Sequence, residues 1–267
     1  MLTLIEPGQP FPLEFPKGAI ALVDKPLAWT SFDVVNKMRF HLSRRLGIKR
    51  VKIGHAGTLD PLATGLLVIC IGEYTKKIES LQELSKEYTG TITFGATTPS
   101  FDLEKAVDAT FPTEHLNDAM VQAAAQTFVG DIGQIPPAFS AVKVDGRRLY
   151  KNARTGAEVE LPVRQVRIDS FTVGPLRPVV PTDAVPRVLS TKGAAIMLHP
   201  DHPEGLQCDF EVRCGKGTYI RSLAKDLGEA LETGGYLSVL RRTETGGFSV
   251  DKAWTVEDFV AWVEAGR

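Results

Sequence analysis

His55 and Asp60 lie within GHAGTLDPLATG (54–65), a stretch that also holds Gly54, Gly57, Gly65 and Pro61. A carboxylate on such a segment can act as a nucleophile or stabilise a positive charge that develops during a reaction. Pro61 restricts Asp60 to extended backbone, and glycines at 54 and 57 permit turns that other residues resist. The same dipeptide also suits a helix start, with Asp60 as N-cap and Pro61 in the first turn. The residues alone leave both readings open.

A second constellation is CGKGTYIRSLAKDLG (214–228), where Gly215 and Gly217 let a strand turn into a helix whose first turn carries Tyr219 and Arg221. A guanidinium there suits a bidentate grip on a carboxylate, although a surface arginine or an anion site at a helix start would look the same. Tyr88, in KEYTG, is either a core aromatic or a platform for a nucleobase. His199 and His202 in HPDHPE lack a third ligand at helical or hairpin spacing, so no metal is expected. GKGT lacks the spacing of a phosphate-binding loop, and the usual hydrolase, metalloprotease and dinucleotide-binding patterns are absent.

These residues need elements to hold them. AIALV (19–23) and LLVICI (66–71) read as buried strands, and YTGTITFG (88–95) alternates as a strand does. Ser31 is an N-cap for a helix over about 32–46, closed by Gly47, with Val34, Val35, Met38 and Leu42 inward and Lys37, Arg44 and Arg45 outward. Helices are expected near 75–84, 116–128 and 219–232, and a strand at 207–214. Thr255 with Asp258 opens a last helix. IGQIPPAF reads as a loop because two prolines cannot continue a helix, and Asp145-Gly146 as a hairpin turn. LRRTETGGF resembles a strand. The mixture gives an α+β class around a mixed sheet.

The chain of 267 residues is long enough for a substantial core. It shows no membrane-length apolar run and no secretory signal. Cys70, Cys208 and Cys214, an odd and scattered set, point to a reducing compartment, so a cytoplasmic protein is expected. The formal net charge is −1, but the charge is segregated. Lys37, Arg39, Arg44, Arg45, Lys49, Arg50 and Lys52 form a run without an acid. Lys143, Arg147, Arg148, Lys151 and Arg154 form another, while Asp251, Glu257, Asp258 and Glu264 gather near the C-terminus. Local field rather than net charge is what a polyanion meets; solvated helix faces are the plainer explanation.

In sequence order, DKPLAWTSFDVV (24–35), GHAGTLDPLATGLLVICIGEYTK (54–76), KEYTGTITFGATT (86–98), QIPPAFSAVKVDGRRLYKNARTG (134–156), CGKGTYIRSLAKDLG (214–228) and GGYLSVLRRTETGGF (234–248) resemble the bacterial tRNA pseudouridine-55 synthases of the TruB type. The resemblance covers most of the chain, and its HxGxLDPxATG block is specific. It implies a pseudouridine synthase fold: a mixed, mostly antiparallel central sheet flanked by helices and loops. Residues 1–250 would form the catalytic domain, with 134–156 as an RNA-contacting loop and 174–205 as a surface excursion. Residues 251–267 would be a short C-terminal helix without the RNA-binding PUA domain of many members. TTPSFDLEK departs from the family's usual TDTxDxxG.

By the same resemblance, the substrate is uridine 55 in the T stem-loop of tRNA, flipped out and converted to pseudouridine. Asp60 matches the catalytic aspartate, Arg221 the arginine paired with it, and Tyr88 the aromatic that stacks on the uracil. Tyr219 and Leu240 match residues lining the uracil pocket, and His55 a histidine that fills space in the RNA loop. Lys25 matches a lysine that supports the active-site loop. Arg39, Arg44, Arg45, Lys143, Arg147 and Arg148 would grip RNA phosphates. No metal, cofactor or obligatory protein partner is implied, and a monomer is expected. The competing readings are an RNA-refolding module without chemistry, a synthase working on ribosomal RNA in a guide-RNA complex, and an N-glycosidase that releases uracil.

Overall fold

The computed structural model describes residues 3–137, 162–180 and 198–265, with the backbone of 143–144, 147–148, 188–189 and 195–196. Along the chain come β1 (Leu4–Ile5), β2 (Gly18–Lys25), α1 (Ser31–Arg45), β3 (Ile53–His55), β4 (Ala63–Gly72) and β5 (Lys86–Phe94). Then follow α2 (Asp118–Gln126), β6 (Gly130–Gln134), β7 (Arg164–Val173), β8 (Leu206–Cys214), α3 (Ile220–Ala230), β9 (Gly235–Thr245) and α4 (Val256–Glu264). Two compact units result. The first comprises residues up to Tyr88 and from Leu240 onward, with Val188–Ile196; the second holds Thr89–Arg187 and Met197–Val239. Strands β5 and β9 each contribute to both.

In the first unit β4 is the central strand. β2 lies antiparallel to it, from Gly18 opposite Gly72 to Lys25 opposite Gly65. β3 is also antiparallel to β4, and β9 runs parallel to it from Leu240 opposite Ala63 to Arg242 opposite Gly65. β1 joins β2 in parallel. The uninterrupted apolar run of β4 follows from burial on both faces. Leu67, Ile69 and Ile71 pack with Val34, Val35, Met38 and Leu42 of α1 and Phe259 and Val263 of α4. Leu66, Val68 and Cys70 form a second core with Ile20 and Leu22.

In the second unit β8 and β7 are antiparallel, as are β7 and β6. Cys208, Phe210, Val212 and Cys214 of β8 are buried between more exposed neighbours, the alternation of a sheet with one wet face. A register shift between Ile168 and Ser170 moves the buried phase of β7 from Val166 and Ile168 to Phe171. A bulge of this kind turns every later side chain to the other face.

Both units are mixed or antiparallel sheets with helices, so the expected α+β class holds. Two local expectations change. Thr30, not Ser31, caps α1: its hydroxyl accepts from Asp33 N while the Asp33 carboxylate takes the Thr30 amide. Ile132–Gln134, expected as loop, extend β6, because the prolines begin only after Gln134 has paired with Arg164. Lys143–Val144 and Arg147–Arg148 pair antiparallel, with Arg147 opposite Val144 and Arg148 opposite Lys143; the expected Asp145-Gly146 turn and the rest of 134–156 beyond Pro137 lie outside the described residues, as do 181–187, 190–194 and Met197 of the 174–205 stretch.

Candidate active site

Asp60 begins a turn, not a helix. Ala63 N donates to Asp60 O at 3.1 Å, with Pro61 at the second position, and β4 starts at once. The backbone on either side of Asp60 is clamped. Before it, the buried Ser31 hydroxyl accepts from Leu59 N at 2.8 Å and donates to Leu59 O at 3.1 Å. After it, Pro61 O accepts from Ala28 N at 2.8 Å and from the Lys25 ammonium at 3.3 Å. Lys25 is fully buried and also donates to Trp29 O at 2.6 Å and Pro26 O at 3.0 Å. Burial pushes its pKa down to about 7. Asp60, Asp33 and Asp24 oppose that fall, while the Arg242 guanidinium adds to it. Ala28 holds a left-handed φ of 65° where it meets Pro61, a strained conformation that the surrounding bonds maintain.

Two adjacent arginines of β9 bring the separated motif blocks together. Arg241 grips Asp24 with both terminal nitrogens, at 2.7 and 3.1 Å. Arg242, 1 % exposed, donates from Nε to Leu66 O at 2.7 Å and from Nη2 to Gly57 O at 3.1 Å. Its guanidinium carbon lies 6.0 Å from the centroid of the Tyr88 ring, within cation–π range. Gly57, with φ 105°, turns its carbonyl to this arginine. Gly65 lies so close to the Arg242 backbone that a Cβ would sit 2.3 Å from its carbonyl oxygen. His55 is held below the usual histidine range, chiefly by burial and then by Arg242, against a hydrogen bond to the Gly57 backbone. Lys25, His55, Asp60, Tyr88 and Leu240 thus share the first unit, with Arg242 joining its parts; the sequence reading did not single out this arginine.

Arg221 and Tyr219 belong to the second unit. Arg221, 3 % exposed, donates from Nη1 to Ser100 O at 3.0 Å, and its Nε lies 3.7 Å from the buried Asp102 carboxylate. Phe101, between these two partners, holds a left-handed φ of 60°, rare for an aromatic residue. The TTPSFDLEK departure therefore contains the acidic partner of Arg221. The side-chain amide of Gln134, itself buried, accepts from Tyr219 N at 2.7 Å and donates to Tyr219 O at 3.1 Å. Ser222 adds a bond to Ile135 O at 2.7 Å. The start of α3 is thereby fixed to the end of β6, where the expected RNA-contacting loop begins.

Of the expected phosphate-binding arginines, Arg44 is exposed. Arg39 bonds to Asn36 at 2.7 Å and to Ile53 O at 2.9 Å, and Arg45 lies over the Phe11 ring at 4.9 Å. The side chains of Lys143, Arg147 and Arg148 lie outside the described residues. Among the described residues, no helix is long and apolar enough to cross a membrane, and no group of three or more His, Cys, Asp or Glu could hold a metal ion.

Residues 44–220 match the description "TruB family pseudouridylate synthase (N terminal domain)", and 221–266 match "tRNA pseudouridylate synthase B C-terminal domain". A tRNA pseudouridine synthase B of Phocaeicola vulgatus is 47% identical over 252 residues, covering 94% of this chain and 96% of the relative. One of Flavobacterium johnsoniae is 47% identical over 243 residues, covering 91% of this chain and 94% of the relative. A chain of the crystal structure of a Cbf5-Nop10-Gar1 complex superposes with a TM-score of 0.60 at 26% identity, covering 94% of this chain and 57% of that one. With both family descriptions matched along its length and more than nine-tenths of it shared with these relatives, the chain belongs to the TruB family of pseudouridylate synthases.

Proposed function

We propose that this protein converts uridine 55 in the T stem-loop of tRNA to pseudouridine, acting in the cytoplasm as a monomer without an obligatory protein partner. The observation that carries this reading is the clamped turn at Asp60: Leu59 held by Ser31 and Pro61 held by Lys25 and Ala28, in a chain of this family. A carboxylate on a turn fixed through its backbone is held in place, which suits a group that must meet a flipped nucleotide. Residues 1–250 would act as the catalytic domain, with 134–156 closing over the RNA.

In the reaction the bond between N1 and C1′ breaks, the uracil rotates, and C1′ rejoins at C5. The C5 hydrogen leaves as a proton and N1 ends protonated, so no electrons are exchanged with a cofactor. Asp60 stabilises or captures the fragment left by cleavage. As the family resemblance implies, Arg221 supplies positive charge for this chemistry, Tyr88 stacks on the base, and Leu240 and Tyr219 line its pocket. His55 fills the space that the flipped nucleotide vacates. A tRNA transcript tritiated at C5 of uridine tests the proposal. Stoichiometric tritium release with pseudouridine mapped to position 55 is expected. Free uracil among the products, or tight binding without release, would overturn it.

A further inference from the structure

The first unit carries a groove of about 590 Å³ that the reaction does not use. Its floor is apolar, formed by Phe15, Leu46, Ile48 and Val51, and its rim carries Lys17, Arg50, Lys52 and Lys76 against the single acid Glu73. It lies at the Gly72 end of β4, whereas Asp60 precedes the Ala63 end. Ten strand residues separate the two ends, roughly 30 Å at the usual rise.

The rim is fixed by backbone bonds. Gly72 N donates to Lys52 O at 2.8 Å, and Glu73 N donates to Lys17 O at 2.9 Å, so these two lysines flank one bracket. Gly72 has φ 61°, and a Cβ there would lie 2.0 Å from Lys17 O, so the bracket admits only glycine. The floor is anchored as well. Phe15 stacks on Phe11 at 5.7 Å between ring centroids, and Phe11 packs on Trp262 of α4 at 4.8 Å.

We infer that this groove holds a single-stranded stretch of the substrate RNA, remote from the nucleotide that is modified. The inference rests on the reading of RNA as substrate. Cations around an apolar, partly aromatic floor suit a strand whose phosphates meet the rim and whose bases or sugars lie on the floor. A duplex would meet the rim alone and leave the floor uncovered. Ile48, an apolar side chain 48% exposed beside Lys49 and Arg50, is explained by such an occupant.

The test compares full-length tRNA transcript with the isolated T stem-loop, using wild type, the combined Lys17→Gln, Arg50→Gln, Lys52→Gln, Lys76→Gln variant, and Ile48→Ser. The rim residues are surface groups and Ile48 is half exposed, so each variant is expected to fold. The rim variant should lose about tenfold or more in affinity for full-length tRNA at moderate salt. Its dependence of log affinity on log salt should become shallower by about two to three. Ile48→Ser should weaken full-length binding about threefold without changing that slope. Both should bind and turn over the stem-loop within about twofold of wild type. An equal loss on both RNAs would overturn the assignment by placing the effect at the active site or the fold. Unchanged affinity for both would overturn it in favour of an acidic protein segment in the groove. Wild-type turnover of the stem-loop, read in the same samples, reports on the functional proposal separately.

Discussion

The turn that carries Asp60 and the helix start that carries Arg221 are each built beside a non-glycine residue in the left-handed region, Ala28 in one case and Phe101 in the other. Each also depends on a buried cation. They differ in what that cation holds. In the first unit Lys25 and Arg242 donate to carbonyl oxygens, Pro61 O on one side and Gly57 O and Leu66 O on the other. The path of the backbone is what they fix. In the second unit the guanidinium of Arg221, the group expected to take part in the chemistry, is held through its own atoms, by Ser100 O and the Asp102 carboxylate. A loop clamped through its backbone tolerates a change in the side chain it presents. A buried ion pair does not tolerate the loss of one partner.

That contrast is broken most severely by Arg221→Met, which removes the cation beside the buried Asp102 carboxylate. A stability loss of about 3 kcal/mol is expected from chemical denaturation, together with loss of turnover. Stability close to wild type would show that Asp102 is satisfied without Arg221. The matching change in the first unit, Arg242→Met, removes the donors to the buried Leu66 carbonyl and the half-buried Gly57 carbonyl and should cost about 2 kcal/mol. It also has a signature that destabilisation alone would not give. The His55 pKa should rise toward 6.5 in an NMR titration, because a neighbouring positive charge is gone.

Ser31→Ala sharpens the comparison further. It removes both bonds to Leu59 and should cost about 1 kcal/mol, lower kcat about tenfold, and leave RNA affinity nearly unchanged. Equal falls in kcat and affinity would mean that Ser31 supports the fold and not the position of Asp60. Another effect is one of pH. Lys25 titrates near 7 in the folded protein, against about 10.4 when unfolded, so the unfolded chain holds more protons between those values. Stability from this group is fully present above the unfolded value and is lost as the pH falls through about 7. Unfolding free energies at pH 7 and 9.5 should rise more for wild type than for Lys25→Met.

The elements around Asp60 were legible because buried strands and an amphipathic helix declare themselves by pattern. The turn itself was not. Asp-Pro suits a helix start equally well, and the choice was made by Ser31, Ala28 and Lys25, about thirty residues upstream. Arg242 left a readable signal: Leu240 and Arg242 share the buried phase of β9, and an arginine in that phase needs partners. Asp102 left none, because its approach to Arg221 depends on the backbone conformation of Phe101, which residue type disfavours. The basic run from Lys37 to Lys52 read as one outward patch. Long side chains let Arg39 and Arg45 turn back onto Ile53 and Phe11, and Arg50 and Lys52 onto the rim of the groove.

The central claim is that a backbone clamp presents the Asp60 carboxylate for chemistry. It is tested most directly by Asp60→Asn, assayed for tritium release and for tRNA affinity in the same preparation. The account predicts a fall in turnover of at least about a thousandfold, with tRNA affinity within about threefold of wild type and stability within about 0.5 kcal/mol. Turnover near that of wild type would contradict it.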